Sequence, residues 1–245
     1  MNAIEILGCR VDAVGREAAV ERVVALARGT TPSLVVTLGT EMVMEAQHNS
    51  RFRAAIDAAA LVVCDTVGLL LVSRLRGGPL RERVTGVELV SALARRTELR
   101  FFLMGGRGET AARAAEMLAA RGAAIAGLRD GYFSARESDA VVAQIRASGA
   151  NVLLAGLGSP KQELWLWDHL PSTGCAVGIG VGGTLDVLAG TVRRAPAIWQ
   201  RVGLEWFYRL LTQPWRWRRQ LALPVFAFLA LRETVALHLV PRGRT

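Results

Sequence analysis

The chain alternates short, continuously apolar runs with longer segments in which apolar residues recur every three or four positions. The apolar runs stand at residues 33–38, 60–65, 100–105, 123–128, 151–158 and 175–180. A strand that is apolar on both faces is typical of a parallel sheet covered by helices on both sides. The pattern therefore predicts six strands of one buried sheet.

The segments between these runs have the periodicity of amphipathic helices. The clearest span residues 15–29, 86–96, 108–122 and 136–149, and several close on a glycine, a common helix end. Alternating strands and helices indicate an α/β fold. Residues 1–190 are therefore predicted to form a Rossmann-like, doubly wound, mainly parallel sheet with helices on both faces.

The composition changes after Gly190. Residues 191–245 carry ten arginines against Glu205 and Glu233, so this segment holds most of the formal net charge of +9. High-GC coding accounts for arginine over lysine in the whole chain, but not for this clustering. We interpret 191–245 as a helical appendage that meets something anionic, such as a membrane surface, a phosphorylated ligand or a nucleic acid.

Tryptophans and leucines stand among the arginines of the appendage, which fits a lipid interface better than a nucleic acid. A nucleic-acid partner is therefore not expected. The apolar run from Leu221 to Leu231 is interrupted by Pro224 and is shorter than the roughly 20 residues that span a bilayer. The N-terminus carries charges where a signal peptide needs an apolar run. The expected location is the cytoplasm, with peripheral contact to the inner face of the membrane.

Cysteine and histidine placement bears on disulfides and metals. Cys9, Cys64 and Cys175 are far apart within apolar stretches, which predicts free, buried thiols in a reducing compartment. The three histidines are also widely separated, with no H-x-x-H or D-x-D pair beside them. We expect neither a catalytic metal nor a cofactor.

Glycine-rich turns follow three of the predicted strands, in "FFLMGGRGET", "GLGSPKQE" and "GIGVGGTLDVLAG". Gly105 and Gly106 resemble a dinucleotide fingerprint that lacks its third glycine, and Asp130 follows at the distance of a ribose contact. Gln162 either places an amide on a sugar or base, or caps a helix. Each turn alone fits a plain connection, but together they favour a nucleotide or sugar-phosphate ligand at the carboxyl edge of the sheet.

Two polar residues stand at the ends of neighbouring strands. Asp65 follows five apolar residues, so its carboxylate is a candidate general base in a partly desolvated position. Its alternative role is the N-cap of a helix that starts near Val67. Thr37 either positions a substrate hydroxyl or is an ordinary strand threonine.

These motifs resemble the WecG/TagA/CpsF glycosyltransferases over nearly the whole chain. The resemblance rests on "TLGTEMVMEA", "CDTVGLLLVSRL", "RVTGVEL", "FFLMGG", "GYF", "GLGSPKQE", "VGGTLDVLAGTVRRAP" and "LEWFYRLLTQPWRWRR", in the family's order. It implies an inverting, metal-independent transferase. Such an enzyme moves N-acetylmannosamine or a related sugar from a UDP donor to a polyprenyl-diphosphate-linked sugar at the cytoplasmic membrane face.

The resemblance also implies roles for residues. Asp65 is the expected base, Thr37 and Gln162 line the pocket, and Arg209, Arg216 and Arg219 come from an appendage that closes over the site. Guanidinium groups suit bidentate contact with a leaving diphosphate. We take Asp65, Thr37 and Arg209 as catalytic candidates. The substrate-binding candidates are Gly39, Arg83, Gly105, Gly106, Gly131, Tyr132, Gln162, Gly182, Arg216 and Arg219.

Two positions depart from the family pattern. Gly39 stands where the family usually has asparagine, and Thr66 stands where it has glycine directly after the catalytic aspartate. An asparagine amide is a sugar contact that Gly39 cannot make, and Thr66 cannot easily adopt a positive φ. These departures motivate an alternative function: a catalytically degenerate protein that binds a nucleotide sugar. Self-association through the apolar surface that is left if the appendage swings away is a further expectation.

Overall fold

A six-stranded parallel sheet is the centre of the molecule. The computed structural model describes residues 2–192, 194–196, 198–199, 205–212, 217 and 221–239. The strands are β1 Ala3–Ile6, β2 Cys9–Asp12, β3 Ser33–Leu38, β4 Leu61–Cys64, β5 Arg100–Gly105, β6 Ala124–Arg129, β7 Val152–Gly156 and β8 Val177–Gly180. The six predicted strands are confirmed as β3 to β8, with ends within one or two residues of those predicted.

The strand order in the sheet is β4-β3-β8-β7-β5-β6, and every neighbouring pair is parallel. From β3 the chain moves outward to β4 at one edge, and from β5 it moves outward to β6 at the other. The later strands β7 and β8 fill the centre. Connections that diverge from the middle of a parallel sheet open a crevice beyond the carboxyl ends of the central strands. The predicted doubly wound α/β fold is confirmed.

Helices follow most of the strands. They are α1 Arg16–Ala27, α2 Thr40–Ala46, α3 Ser50–Ala58, α4 Val67–Leu75, α5 Gly86–Leu93, α6 Thr110–Ala119, α7 Ser138–Ser148, α8 Lys161–Thr173, α9 Thr184–Leu188, α10 Glu205–Thr212 and α11 Ala222–Leu239. A 3-10 turn, Ala135–Glu137, precedes α7. The four predicted helices are confirmed as α1, α5, α6 and α7. As expected, α7 ends on a glycine, Gly149, in the left-handed conformation.

The apolar runs of β3, β4, β5, β7 and β8 are continuous because these strands are largely buried on both faces, whereas the edge strand β6 is half-buried or exposed along its length. In β4, Leu61 and Val63 pack into a core with α1 and α5, whereas Val62 and Cys64 pack into a second core with α2, α3 and α4. Farther along the sheet, Phe102 packs with α7 and α8 in a third core. Alternate residues of a strand point to opposite faces, so a run without polar breaks is required wherever helices cover both.

The antiparallel hairpin β1–β2 was not predicted from the sequence. Its four-residue strands pair from Ala3 with Asp12 to Ile6 with Cys9. Ile6, Cys9 and Val11 are buried in the core beside α3 and α4. The Asp12 carboxylate accepts a hydrogen bond from the Val62 N–H at 2.8 Å, which joins the hairpin to the edge strand β4. The hairpin thus covers the free edge of the sheet.

The C-terminal helix α11 packs on the same core, against α2 and α4. Phe226 and Ala230 are buried there. Arg76 forms a 2.5 Å ion pair with Glu233, and its Nε donates to Thr234 Oγ1 at 2.8 Å. The predicted division of the chain at 190/191 stays a prediction. None of the helices that the structure describes is long and apolar enough to cross a membrane.

Candidate active site

A cleft of about 590 Å³ lies beyond the carboxyl ends of β3, β4 and β8. Helices α2, α4, α5, α8 and α9 begin at or beside its wall, and α10 and α11 close one side. Helix N-termini carry partial positive charge, so their convergence favours an anionic ligand. The predicted site residues that line the cleft are Thr37, Gly39, Asp65, Arg83, Gln162 and Gly182.

Asp65 stands at the polar end of the cleft. Its N–H donates to the Leu38 carbonyl at 2.9 Å, which continues the pairing of β4 with β3. Its Oδ1 accepts from the N–H of Gly86, the first residue of α5, at 3.0 Å. The N-cap of α4 is Thr66, so the alternative in which Asp65 caps that helix is wrong. The carboxylate is instead held across the cleft by the start of α5.

Thr37 lies opposite, on β3, and is nearly buried. Its hydroxyl donates to the Gly180 carbonyl of β8 at 2.8 Å. A hydroxyl has one proton and two lone pairs, so Thr37 can still accept a hydrogen bond from a substrate hydroxyl. Thr37 therefore both joins two strand ends and presents an acceptor to the cleft.

Gln162 connects two of the glycine-rich turns. Its Oε1 accepts from the Gly158 N–H at 3.2 Å and from the Gly182 N–H at 3.0 Å, and its Nε2 donates to Glu163 Oε1 at 2.6 Å. The side chain is buried, with 2% of its surface exposed. These contacts support the shape of the cleft from inside the protein, a role that neither sequence-based alternative for Gln162 included.

Glu163 is fully buried behind Gln162. Burial raises the pKa of its carboxyl above the ordinary value, against the opposing contacts of Gln162 and Ser159. Within the described part of the chain, Glu163 Oε2 and Ser159 Oγ are both buried without a hydrogen bond of good geometry. A proton on Oε2, directed at Ser159, would satisfy both atoms. A bond donated by the Ser159 hydroxyl to Oε2 would satisfy them equally well, so burial, not this contact, favours the neutral carboxyl.

Of the residues that the structure describes, two arginines line the cleft, Arg83 and Arg194. Arg83 lies 3.8 Å from the carboxylate of Glu205 on α10. Arg194, which the sequence-based candidates did not include, donates to Glu88 at 2.9 Å and contacts the Thr85 hydroxyl. Burial alone would raise the pKa of Glu88, but the bonds from Arg194 and Thr85 outweigh it and hold that pKa below its ordinary value.

The predicted arginines of the appendage stay predictions. Arg209 lies within α10, but its side chain is outside the described part of the structure, and Arg216 and Arg219 are outside the described residues.

The remaining glycine candidates lie beside the cleft, not in its lining. The Gly131 N–H donates to the Gly106 carbonyl at 3.1 Å. A Cβ on Gly105 would meet the Gly156 backbone at 2.5 Å, and a Cβ on Gly156 would lie 3.0 Å from the Gly182 carbonyl. Main chain without side chains, at Gly182, Gly156, Gly105, Gly106 and Gly131, therefore extends from the cleft to the ends of β5 and β6. We call this strip the glycine surface.

Tyr132 follows this glycine surface and is exposed. The Arg107 guanidinium lies 5.0 Å from the centre of its ring, within cation–π range. Both residues lie at the outer end of the glycine surface, next to Gly106 and Gly131.

Gly105 gives a stability prediction. Its φ is +149°, and an added methyl group would collide with the backbone of β7. We expect Gly105→Ala to lower the free energy of unfolding by about 2–3 kcal/mol in urea titration. The control is Gly108→Ala, which also has a positive φ (54°) but open space around its Cβ position. Equal losses in the two variants would contradict the steric argument.

The comparison with known proteins identifies the family of the chain. Residues 4–239 match the profile of the Glycosyl transferase WecG/TagA/CpsF family. The chain belongs to this family. Over 205 residues it is 35% identical to the N-acetylglucosaminyldiphosphoundecaprenol N-acetyl-beta-D-mannosaminyltransferase of Bacillus spizizenii, covering 82% of this chain and 79% of that protein. The resemblance drawn from the motifs is confirmed.

The two departures from the family pattern lie side by side in this glycosyltransferase. Thr66 is extended, with φ −115° and ψ 150°, so the expected need for a positive φ is wrong. A Cβ on Gly39 would lie 3.2 Å from Thr66 Cγ2. The Thr66 hydroxyl accepts from the Thr40 N–H at 3.2 Å, at the start of α2. The Thr66 side chain thus occupies space next to the missing side chain at position 39.

This contact predicts that the two positions are coupled. We expect Gly39→Asn alone to lower stability and activity, because its side chain crowds Thr66. Gly39→Asn combined with Thr66→Gly should recover both, with a coupling energy of about 1–2 kcal/mol in a double-mutant cycle of unfolding free energies. Strictly additive effects would show that the positions are independent.

The thiol beside the candidate base stays protonated. Burial, and then the neighbouring Asp65, raise the pKa of Cys64 to about 12. All three cysteines are free and buried, as predicted. Among the described residues, no group of three or more histidines, cysteines or carboxylates is placed to hold a metal ion.

Proposed function

We propose that this glycosyltransferase moves N-acetylmannosamine, or a related hexosamine or uronate, from a UDP-sugar to a polyprenyl-diphosphate-linked sugar. The reaction would invert the anomeric centre, use no metal and serve cell-surface polysaccharide synthesis. The observation that carries the proposal is the Asp65 carboxylate, held by the Gly86 N–H in a cleft where several helices begin. The relative from Bacillus spizizenii, whose name specifies a diphosphoundecaprenol acceptor, supports the substrate class.

In this mechanism Asp65 takes the proton of the acceptor hydroxyl. The acceptor oxygen forms a bond to the anomeric carbon as the bond from that carbon to the diphosphate oxygen breaks, and the electron pair leaves with UDP. Attack from the face opposite the leaving group inverts the centre. Thr37 accepts a hydrogen bond from a sugar hydroxyl. A positioned general base of this kind contributes about 10²–10⁴-fold to the rate.

The leaving diphosphate needs positive charge in place before it forms. Arg83 and Arg194 line the same cleft as Asp65, and Arg209, Arg216 and Arg219 are proposed to join them. The N–H groups of Gly158 and Gly182 donate to Gln162. We therefore assign diphosphate stabilisation to the arginines and helix starts, and a supporting role to these two glycines.

The test is transfer with purified full-length protein. UDP-N-acetylmannosamine and a short-chain polyprenyl-diphosphate N-acetylglucosamine are the substrates, with UDP release and product mass as readouts. We expect turnover that EDTA does not reduce and a product of inverted configuration by NMR. Binding of UDP without transfer to any lipid-linked acceptor would support the degenerate-protein alternative instead.

Peripheral membrane contact is the second part of the proposal. Phe228 is 65% exposed on α11, and Leu221, Val225, Val235 and Leu237 are exposed on the same segment. We expect Phe228→Glu to reduce co-sedimentation with anionic liposomes several-fold, because a charged side chain resists transfer into the interface. The matched control is Leu128→Glu, an exposed site at the far edge of the sheet. Equal effects of both variants would argue against a membrane role for α11.

Self-association stays a prediction.

A further inference from the structure

The cleft continues away from Asp65 as a trough between two helices. We call this part the apolar trough and define it by Leu71 and Leu75 of α4 with Phe226, Ala227, Ala230 and Leu231 of α11, all of which line the cleft. Leu71 and Leu75 are four positions apart, as are Phe226 and Ala230, and Ala227 and Leu231, so each set forms one helix stripe. The two stripes face each other across the opening.

The apolar trough has a direction. At one end, Phe226 Cε1 lies 3.5 Å from the Cβ position of Gly68, three residues after Asp65. At the other end, Arg76 donates to Thr234 at 2.8 Å. The two helices therefore run side by side in the same sense. The nine residues of α4 rise about 1.5 Å each, so the trough extends roughly 12 Å from the catalytic end.

The chemistry of the trough differs from that of the polar end. Leu71, Leu75 and Leu231 are 49%, 64% and 57% exposed at its rim. Among the described residues, the α4 and α11 side chains that line it include no Asp, Glu, Lys or Arg. Clustered exposed leucines beside a binding cleft mark a site for an apolar group. A nucleotide sugar has no such group, whereas a lipid-linked sugar has one directly after its diphosphate.

We propose that the apolar trough binds the first isoprene units of the lipid-linked acceptor, with the sugar at Asp65 and the chain leading out between α4 and α11. This inference rests on the proposed function, since it assumes a polyprenyl acceptor. It adds that the protein itself binds the chain. Acceptor affinity should then depend on the isoprene units that fit the trough, even without a membrane.

The experiment measures KM for N-acetylglucosamine diphosphates that carry a methyl, a geranyl or a farnesyl group, with full-length protein in detergent-free buffer. The trough is filled by Ala227→Leu, an exposed position that lines it. The matched control is Ala236→Leu, an exposed position of the same helix outside the cleft lining. We expect KM of the wild type to fall by about tenfold or more from methyl to farnesyl. In Ala227→Leu the KM should no longer fall with chain length, whereas in Ala236→Leu it should fall as in the wild type.

The outcomes separate the two proposals. Transfer with the same KM for all three acceptors would overturn the trough and leave the proposed function standing. If KM still falls with chain length in Ala227→Leu, the isoprene chain binds elsewhere, and the proposal that the trough binds it is also overturned. Transfer to no acceptor would overturn the proposed function and the inference with it. A change in sedimentation coefficient on Ala227→Leu, together with a KM independent of chain length, would assign the trough to a second copy of the chain.

Discussion

Asp65→Asn is expected to lower kcat by about 10²–10⁴-fold while UDP binding persists. The asparagine side chain is nearly isosteric and can still accept from the Gly86 N–H, so the start of α5 keeps its contact. It cannot take a proton from the acceptor hydroxyl. Steady-state UDP release, with calorimetric titration of UDP as the binding control, measures both effects.

The matched control for Asp65 is Asp168→Asn. Asp168 is a partly exposed carboxylate on α8 that pairs with Arg51 at 2.6 Å, outside the cleft. An exposed pair of this kind contributes little to stability. We expect kcat within twofold of the wild type. Near-full turnover in Asp65→Asn would show that another group accepts the proton.

The second large effect concerns Glu163. If its carboxyl is neutral, Glu163→Gln should preserve folding and activity, because the amide oxygen still accepts from Gln162 and the amide nitrogen can donate to Ser159. Glu163→Ala leaves a cavity and an unpaired Gln162 Nε2, so we expect a loss of about 2–4 kcal/mol in unfolding free energy. Its kcat/KM should also fall, because Gln162 then loses the contact that orients it toward Gly158 and Gly182.

The pH dependence has a definite sign. A carboxyl whose pKa is raised by folding binds its proton more tightly in the folded state than in the unfolded state. Its contribution to stability is therefore complete below the ordinary glutamate pKa and declines as pH rises toward the folded value. Glu163→Gln removes this decline, so its stability relative to the wild type should increase from pH 5 to pH 8 in urea titrations. An inactive Glu163→Gln with an unchanged fold would instead indicate an ionised, functional carboxylate.

The sequence predicts the sheet well because a strand that is buried on both faces is a continuous apolar run, which can be recognised in the sequence itself. Each strand from β3 to β8 is an apolar run, and β8 keeps its run although Gly178 and Gly180 interrupt it. The hairpin β1–β2 leaves a weaker trace. Glu5, Arg10 and Asp12 interrupt the apolar residues of its strands, so "AIEI" and "CRVD" lack continuity.

Part of the cleft lining can be predicted from the sequence, because carboxyl ends of parallel strands converge at one edge. Thr37, Asp65 and Gly182 come together for this reason. Gln162 lines the cleft, but its hydrogen-bond partners could not be predicted, since Gly182 lies on another turn. Arg194 and the apolar trough were missed because they depend on how later segments fold back over the sheet.

Glu233 has a consequence for how the protein can be shortened. Its carboxylate accepts from the Leu7 N–H at 3.0 Å and pairs with Arg76, so one side chain of α11 ties the first hairpin to α4. A fragment that stops before residue 222 would lose this tie and would uncover the core around Phe226. Any loss of activity in such a fragment could come from the loss of a packed helix as well as from the loss of the appendage over the site. Point substitutions at exposed positions therefore test the function of the C-terminal segment without removing a packed helix.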